Sequence, residues 1–392
     1  MTRTHSWPEG HWNWPIAVTH KHGVRQGGLC FVGGQVDLDP EGNVLHAGDI
    51  VAQTPVAIAS LGRVLDDLGS GLSDLVKIVV YHVDDGSLDE ASLLANLAAA
   101  LPDSKPAFCT VPVPYLAYPG MLIEIEGVAA IGEKARVGSG EFPDGIRCGD
   151  LVWTSGISGG SKGDIVMQSE EVMERLRGIL ESLDADFGDV VKFNIFYVGV
   201  GNADDWAVAA RVRARYFEEP GPAATGIPVP RLQDPESLIK MDVWAMRPAG
   251  GDRVERTYSW PEGHWDWPIH LPYKHGNLGG GMFFVGGQVS LTPEGGPIDP
   301  FDMQAQTRTS MDNIRKVLAD LGASMDDVVK VTTFYKGDGG GADLHENLSI
   351  RSSYFSDPGP ATTGISLPFL AYSDAGMMIE IEVIGMMPGA TG

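Results

Sequence analysis

The segment Ser6 to Pro15, SWPEGHWNWP, returns as Ser259 to Pro268, SWPEGHWDWP, so that Trp7 recurs as Trp260, 253 positions later. The offset persists in Lys21-His22-Gly23 and Lys274-His275-Gly276, in Val32-Gly33-Gly34-Gln35 and Val285-Gly286-Gly287-Gln288, and in Gln53-Thr54 and Gln306-Thr307. A gap of this size is about twice the usual domain length of roughly 100–150 residues, so a third copy belongs between the two.

Asp74-Leu75-Val76-Lys77 reappears as Asp189-Val190-Val191-Lys192 and as Asp327-Val328-Val329-Lys330, each time opening a β-branched and aromatic run. Downstream, Pro220-Gly221-Pro222-Ala223-Ala224-Thr225-Gly226-Ile227 matches Pro358-Gly359-Pro360-Ala361-Thr362-Thr363-Gly364-Ile365. These landmarks divide the chain into residues 1–133, 134–250 and 251–392. The outer units carry a Trp-rich leader; the middle one lacks it and has diverged furthest.

At 43% hydrophobic and 20% charged residues, the 392-residue chain has apolar content for three cores. No stretch approaches a membrane span and no apolar signal region precedes the first unit, so no membrane association is expected. Cys30, Cys109 and Cys148 are too few and scattered for a disulfide framework, and a reducing cytoplasm is the expected location. A formal charge of −24 repels phosphate backbones, which excludes nucleic acid from the expected ligands.

In the first unit a Gly-punctuated hairpin, Gly23 to Leu38, precedes a helix over Asp49 to Leu68, whose Val51, Ile58, Leu61, Val64, Leu65 and Leu68 fall at helical spacing. A strand over Val76 to Val83, a helix over Ser87 to Leu101, and strands over Phe108 to Val113 and Met121 to Ala129 follow. The matching first helices elsewhere are expected at Val172 to Leu183 and Met311 to Leu321. This order makes an α+β unit with both helices on one sheet face. The bare face needs cover, and three sheets closing around a pseudo-threefold axis supply it.

With the hairpin ending in Val-Gly-Gly-Gln, the Asp-Val-Val-Lys strand start and the closing Pro-Ala and Ile-Glu-Ile-Glu segments, each unit resembles the Rid proteins, reactive-intermediate deaminases also called YjgF-like or L-PSP endoribonuclease-like. The resemblance implies a chorismate-mutase-like fold, a trimer fused into one chain, ligand clefts at the unit boundaries, and hydrolysis of an enamine or imine to a carbonyl compound and ammonia. It implies no cofactor, and no metal is expected from the His and Cys spacing. The partner is a small-molecule substrate; further self-association of the pseudo-trimer stays open.

The family's acidic residue matches Glu124 and Glu380, the first Glu of each Ile-Glu-Ile-Glu, while the middle unit has Lys240. A carboxylate beside a water in an apolar cleft can move protons; the same pattern also suits a solvated strand face. The family's aromatic hydroxyl before the hairpin corresponds to Tyr273, His20 and Phe142, of which Tyr273 and His20 can polarise a substrate. His22 and His275 stand beside them, where an imidazole either titrates near neutral pH or is bonded to backbone at a strand edge. Gly34, Gln35, Gly287 and Gln288 are expected to frame the clefts with backbone donors.

The family's deaminases place an Arg directly after Pro-Ala to hold a substrate carboxylate; here Phe108, Ala224 and Thr362 occupy that place. A neutral or differently anchored substrate is expected, with Phe108 and Thr362 near it. Trp12 and Trp265, with the other leader tryptophans, form an aromatic wall over a cleft, a packing clasp, or both. The readings carried forward are a hydrolase on a small C–N compound, a non-catalytic binding or regulatory protein, and a pathway-specific hydrolase or lyase.

Overall fold

The computed structural model describes residues 3–84, 89–160, 163–202 and 204–390. Three sheets form from three consecutive stretches of chain. In repeat 1, β1 (Thr4–Ser6), β2 (Gly23–Gln26), β3 (Leu29–Gln35), β4 (Leu75–Val83), β5 (Ala107–Val113) and β6 (Ile123–Ala130) assemble in the order β1-β2-β3-β6-β4-β5, with α1 (Ile50–Asp67) and α2 (Glu90–Ala100). Ser87 and Leu88 of the expected second helix lie outside the described residues.

Repeat 2 contains β7 (Lys134–Val137), β8 (Gly145–Cys148), β9 (Leu151–Thr154), β10 (Ile157–Ser158), α3 (Ile165–Ser182), β11 (Val190–Val198), α4 (Asp204–Ala214), β12 (Ala223–Val229) and β13 (Ile239–Met246). Its sheet runs β12-β11-β13-β9-β8-β7, with β10 also on β13. Repeat 3 contains β14 (Arg256–Ser259), β15 (Gly276–Gly279), β16 (Met282–Gln288), α5 (Met303–Asp320), β17 (Val328–Lys336), α6 (Ala342–Ser352), β18 (Ala361–Leu367) and β19 (Ile379–Met386), in the sheet order β14-β15-β16-β19-β17-β18. Each unit is the expected α+β arrangement.

The long helices begin where an Asp side chain accepts a backbone N–H: Asp49 from Ala52, Asp164 from Val166 and Met167, and Asp302 from Ala305. α3 and α5 therefore start well before the expected Val172 and Met311, because the cap, not the apolar stripe, sets the first turn. The stripe of α1, including Ile58, Leu61 and Leu65, packs on Ile78, Val80, Ile123 and Ile125. On the opposite sheet face, Phe31, Trp153, Val191, Phe284 and Val329 from all three repeats meet in one apolar cluster.

The sheets close in a cycle. The edge strand of each repeat lies against its neighbour: Lys21 N–H donates to Pro360 at 3.1 Å, Lys274 N–H to Pro222 at 3.2 Å, and Gly156 N–H to Phe108 at 2.8 Å. Gly33 and Gly286 allow this approach, because a Cβ on either would run into the backbone carbonyl of Thr362 or Ala224. Around the axis, the lysine of each repeated strand start pairs with an acid of the next repeat. Lys77 meets Asp242 at 2.9 Å, Lys192 meets Glu382 at 2.8 Å, and Lys330 meets Glu126 at 2.7 Å. Glu126 and Glu382, and with them Glu124 and Glu380, lie on an interior face and not on a solvated one.

Candidate active site

Glu124 is the second residue of β6, and its side chain points from the inner sheet face into a cleft between repeats 1 and 3. Glu380 occupies the same place on β19, in a cleft between repeats 3 and 2. Gly34 and Gly287 leave room for these side chains: a Cβ on either would collide with Oε1 of Glu124 or Glu380. Gly34→Ala is therefore expected to displace the Glu124 carboxyl and impair the repeat 1–3 cleft alone. The check is titration of an active-site ligand, with one of two sites weakened and the melting curve nearly unchanged.

Burial, and then the neighbouring Glu126, pushes the Glu124 carboxyl up to about 8; Lys330 and the Gly364 N–H of the other repeat partly oppose this. Glu380 is likewise raised to about 8, by burial and Glu382, against Lys192 and the Gly226 N–H. Both carboxyls are mainly protonated at pH 7.

The cleft walls are largely apolar. Trp12, Trp14 and Tyr118 of repeat 1 face Leu344, Leu348 and Arg351 of repeat 3 across about 420 Å³. Trp265, Trp267 and Tyr372 of repeat 3 face Tyr197, Trp206 and Arg213 of repeat 2 across about 700 Å³. Tyr273 and Ala224 also line the larger cleft, and Thr362 and Gly34 the smaller. Tyr118 hydrogen-bonds to His345 at 2.8 Å.

The leader is both wall and clasp. His22 stacks on Trp14 at 5.0 Å and donates through Nε2 to Trp12 O at 3.0 Å; His275 stacks on Trp267 at 5.4 Å and donates to Trp265 O at 2.9 Å. Burial keeps both rings neutral, His275 falling to about 3 and His22 well below its usual value. The reading in which they titrate near neutral pH is corrected: the tryptophan cage excludes the water an imidazolium needs.

Gln35 and Gln288 are also reassigned. Each accepts a hydrogen bond from a leader histidine, His11 at 2.8 Å and His264 at 2.7 Å, and so anchors the leader without lining a cleft. The donors facing the carboxyls come from Gly364 and Gly226 of the neighbouring repeats. His20 is buried against Phe355 and lies outside the cleft lining, whereas its counterpart Tyr273 is part of it.

Phe108 lies at the third boundary, between repeats 1 and 2, where it packs on Phe142 with ring centroids 5.1 Å apart. There Lys240 replaces the carboxyl and donates to the carbonyl and hydroxyl oxygens of Thr110, at 2.8 and 2.9 Å. Glu90 stands 3.9 Å from the ammonium. This boundary is braced across by a lysine in the place where the other two carry a carboxyl.

Arg351 and Arg213 are the charged cleft residues that the sequence reading missed. Each stands ten positions before the Ala that opens the edge strand, and the same position in repeat 1 is Leu97. The signal was present: Leu344, Leu348, Arg351 and Phe355 form one helical stripe, and Trp206, Ala210, Arg213 and Phe217 another, each with one charge among buried residues. Among the described residues, no His, Cys, Asp and Glu side chains group in a metal-holding set.

The Endoribonuclease L-PSP family matches the chain three times, at residues 15–131, 133–247 and 268–387, and the chain belongs to that family. It is 32% identical over 136 residues to the RutC family protein YjgH of Escherichia coli K12, covering 34% of this chain and 98% of that protein. It is 30% identical over 118 residues to the 2-iminobutanoate/2-iminopropanoate deaminase of the same organism, covering 29% and 87%. A solved structure of YjgH aligns at 30% identity over 34% of this chain and 98% of the other, with a TM-score of 0.30.

Proposed function

We propose that the chain is a hydrolase that converts an imine or enamine to a carbonyl compound and ammonia, working at the two carboxyl-bearing clefts. The observation that carries this reading is the pair Glu124 and Glu380, each a buried carboxyl in a largely apolar cleft that raises its pKa. The similarity to a protein named as an imine deaminase supports it. The charge of −24 weighs against a polyphosphate chain as substrate.

The chemistry needs one group that gives and takes protons. The neutral carboxyl donates its proton to the imine nitrogen, which makes the carbon electrophilic. Water adds to that carbon as the carboxylate removes the water's proton, giving a carbinolamine and the neutral acid again. The acid then protonates the amine, the C–N bond breaks, ammonia leaves, and the carboxylate takes the hydroxyl proton as the carbonyl forms. Atoms balance as imine plus water giving carbonyl plus ammonia, with the carboxyl restored.

The acid form starts the sequence, so turnover should hold on the acid side of about pH 8 and fall as pH rises through it. The assay follows ammonia released from imino compounds formed in situ by an amino acid oxidase, corrected for spontaneous hydrolysis. A rate that climbs through pH 8, or no release above background from any imine, contradicts the reading; ligand binding without release would favour a non-catalytic binding protein.

A further inference from the structure

The two arginines are buried cations without counter-ions. Arg351 is fully buried, donates from Nε to Asn347 and from Nη1 to Thr362, both at 3.0 Å, and leaves Nη2 without a partner. Arg213 is 4% exposed, and its Nε and Nη1 have no partner. Among the described residues, neither guanidinium forms an ion pair with a carboxylate. An isolated buried charge is costly enough that a well-packed apolar residue would normally be preferred.

Repeat 1 makes that preference visible, because it has Leu97 at this position. The three boundaries provide an internal comparison: two carry a Glu at the strand position and an Arg at the helix position, and the third has Lys240 and Leu97 at those two positions. Thr362 and Ala224 occupy the place after Pro-Ala where the deaminases that the sequence resembles carry an Arg, and Arg351 reaches Thr362 from α6. The cation thus enters each cleft from a helix instead of the edge strand. The same clefts are lined by Trp12 and Trp14, or by Trp265 and Trp267, so the cation sits in a cleft with an aromatic wall.

We propose that both clefts take a carboxylate-bearing ligand with a planar aromatic body, the carboxylate held by Arg351 or Arg213 and the body lying against the leader tryptophans. This rests on the hydrolytic reading for its chemistry, and it specifies the substrate as an aromatic imino acid. The unpartnered N–H groups, Nη2 of Arg351 and Nε and Nη1 of Arg213, donate to the carboxylate, and the neutral glutamic acid on the far wall does not repel it. The third boundary, with Leu97 and Lys240, takes none.

The test is calorimetric titration at pH 7 with phenylacetate, which cannot react, and with its neutral isostere phenylacetamide. Phenylacetate should bind at two sites per chain, and the amide about 10- to 100-fold more weakly, as expected for losing hydrogen bonds to a charged group. Arg351→Leu and Arg213→Leu should each remove one site and the double substitution both; Leu is chosen because repeat 1 already carries it there. Equal affinity for acid and amide, three sites, or a site count unmoved by the substitutions overturns the proposal. The acid and amide comparison uses the unaltered chain, so a variant that fails to fold does not remove the test. Arg-dependent binding without ammonia release would sink the hydrolytic reading and keep the ligand class; ammonia release without Arg-dependent binding would do the reverse.

Discussion

Replacing both glutamates, Glu124→Gln with Glu380→Gln, is expected to lower ammonia release by about 10²- to 10⁴-fold, the usual contribution of a positioned proton-transfer group. Each single variant should retain activity from the other cleft. The amide nearly matches the size and neutrality of a protonated carboxyl, so the chain should fold normally, and loss of activity with an unchanged melting curve below neutral pH isolates the chemical role. A second readout follows from linkage. A carboxyl raised from 4.5 to about 8 binds its proton more tightly in the folded state, so stability falls as pH rises from about 4.5 towards 8. The double variant should lose that slope. Full activity in the double variant would remove both glutamates from the mechanism.

The second large effect lies at the axis. Lys192 is 1% exposed and holds Glu382, 5% exposed, at 2.8 Å, while Asn194 donates to the other carboxylate oxygen at 3.4 Å. Lys192→Met leaves that carboxylate buried without its cation, which should destabilise the fold by about 3–5 kcal/mol. Lys192→Met with Glu382→Leu should cost much less, because a buried ion pair replaced on both sides by apolar groups is often neutral or better. Denaturant unfolding of the two variants measures the difference. If the single substitution costs under about 1 kcal/mol, or the double costs more than the single, the axial pairs do not hold the repeats together in this way.

Part of the candidate site could be read from sequence because it lies in repeated strands. Glu124 and Glu380 have identical neighbours, and Gly34 and Gly287 recur in the Val-Gly-Gly-Gln that ends each hairpin, so alignment of the repeats brings out the carboxyls and the glycines that make room for them. The leader tryptophans were legible for the same reason, and their double use as wall and clasp was one of the three readings the sequence left open. Gln35, Gln288, His22 and His275 misled because a polar residue beside an active-site position can face either way. Here each side chain turns to hold the leader, and that choice depends on aromatic rings brought together by folding. Arg351 and Arg213 were readable as charged positions in apolar helical stripes, but a buried cation in a helix does not reveal which neighbouring repeat it faces.

The sequence by itself determined the number of repeats, the order of strands and helices within each, and the asymmetry that leaves Lys240 and Leu97 at one boundary. These are local or repeated properties, set by periodicity and alignment of one segment with another. Tertiary structure decided which residues meet. Glu124 faces Arg351 and Glu380 faces Arg213 because the three sheets close cyclically, each edge strand lying against the next repeat, and the axial lysines each reach an acid of that next repeat. No spacing along the chain encodes those pairings: they arise because each sheet has an apolar inner face to bury and the other two repeats supply the cover.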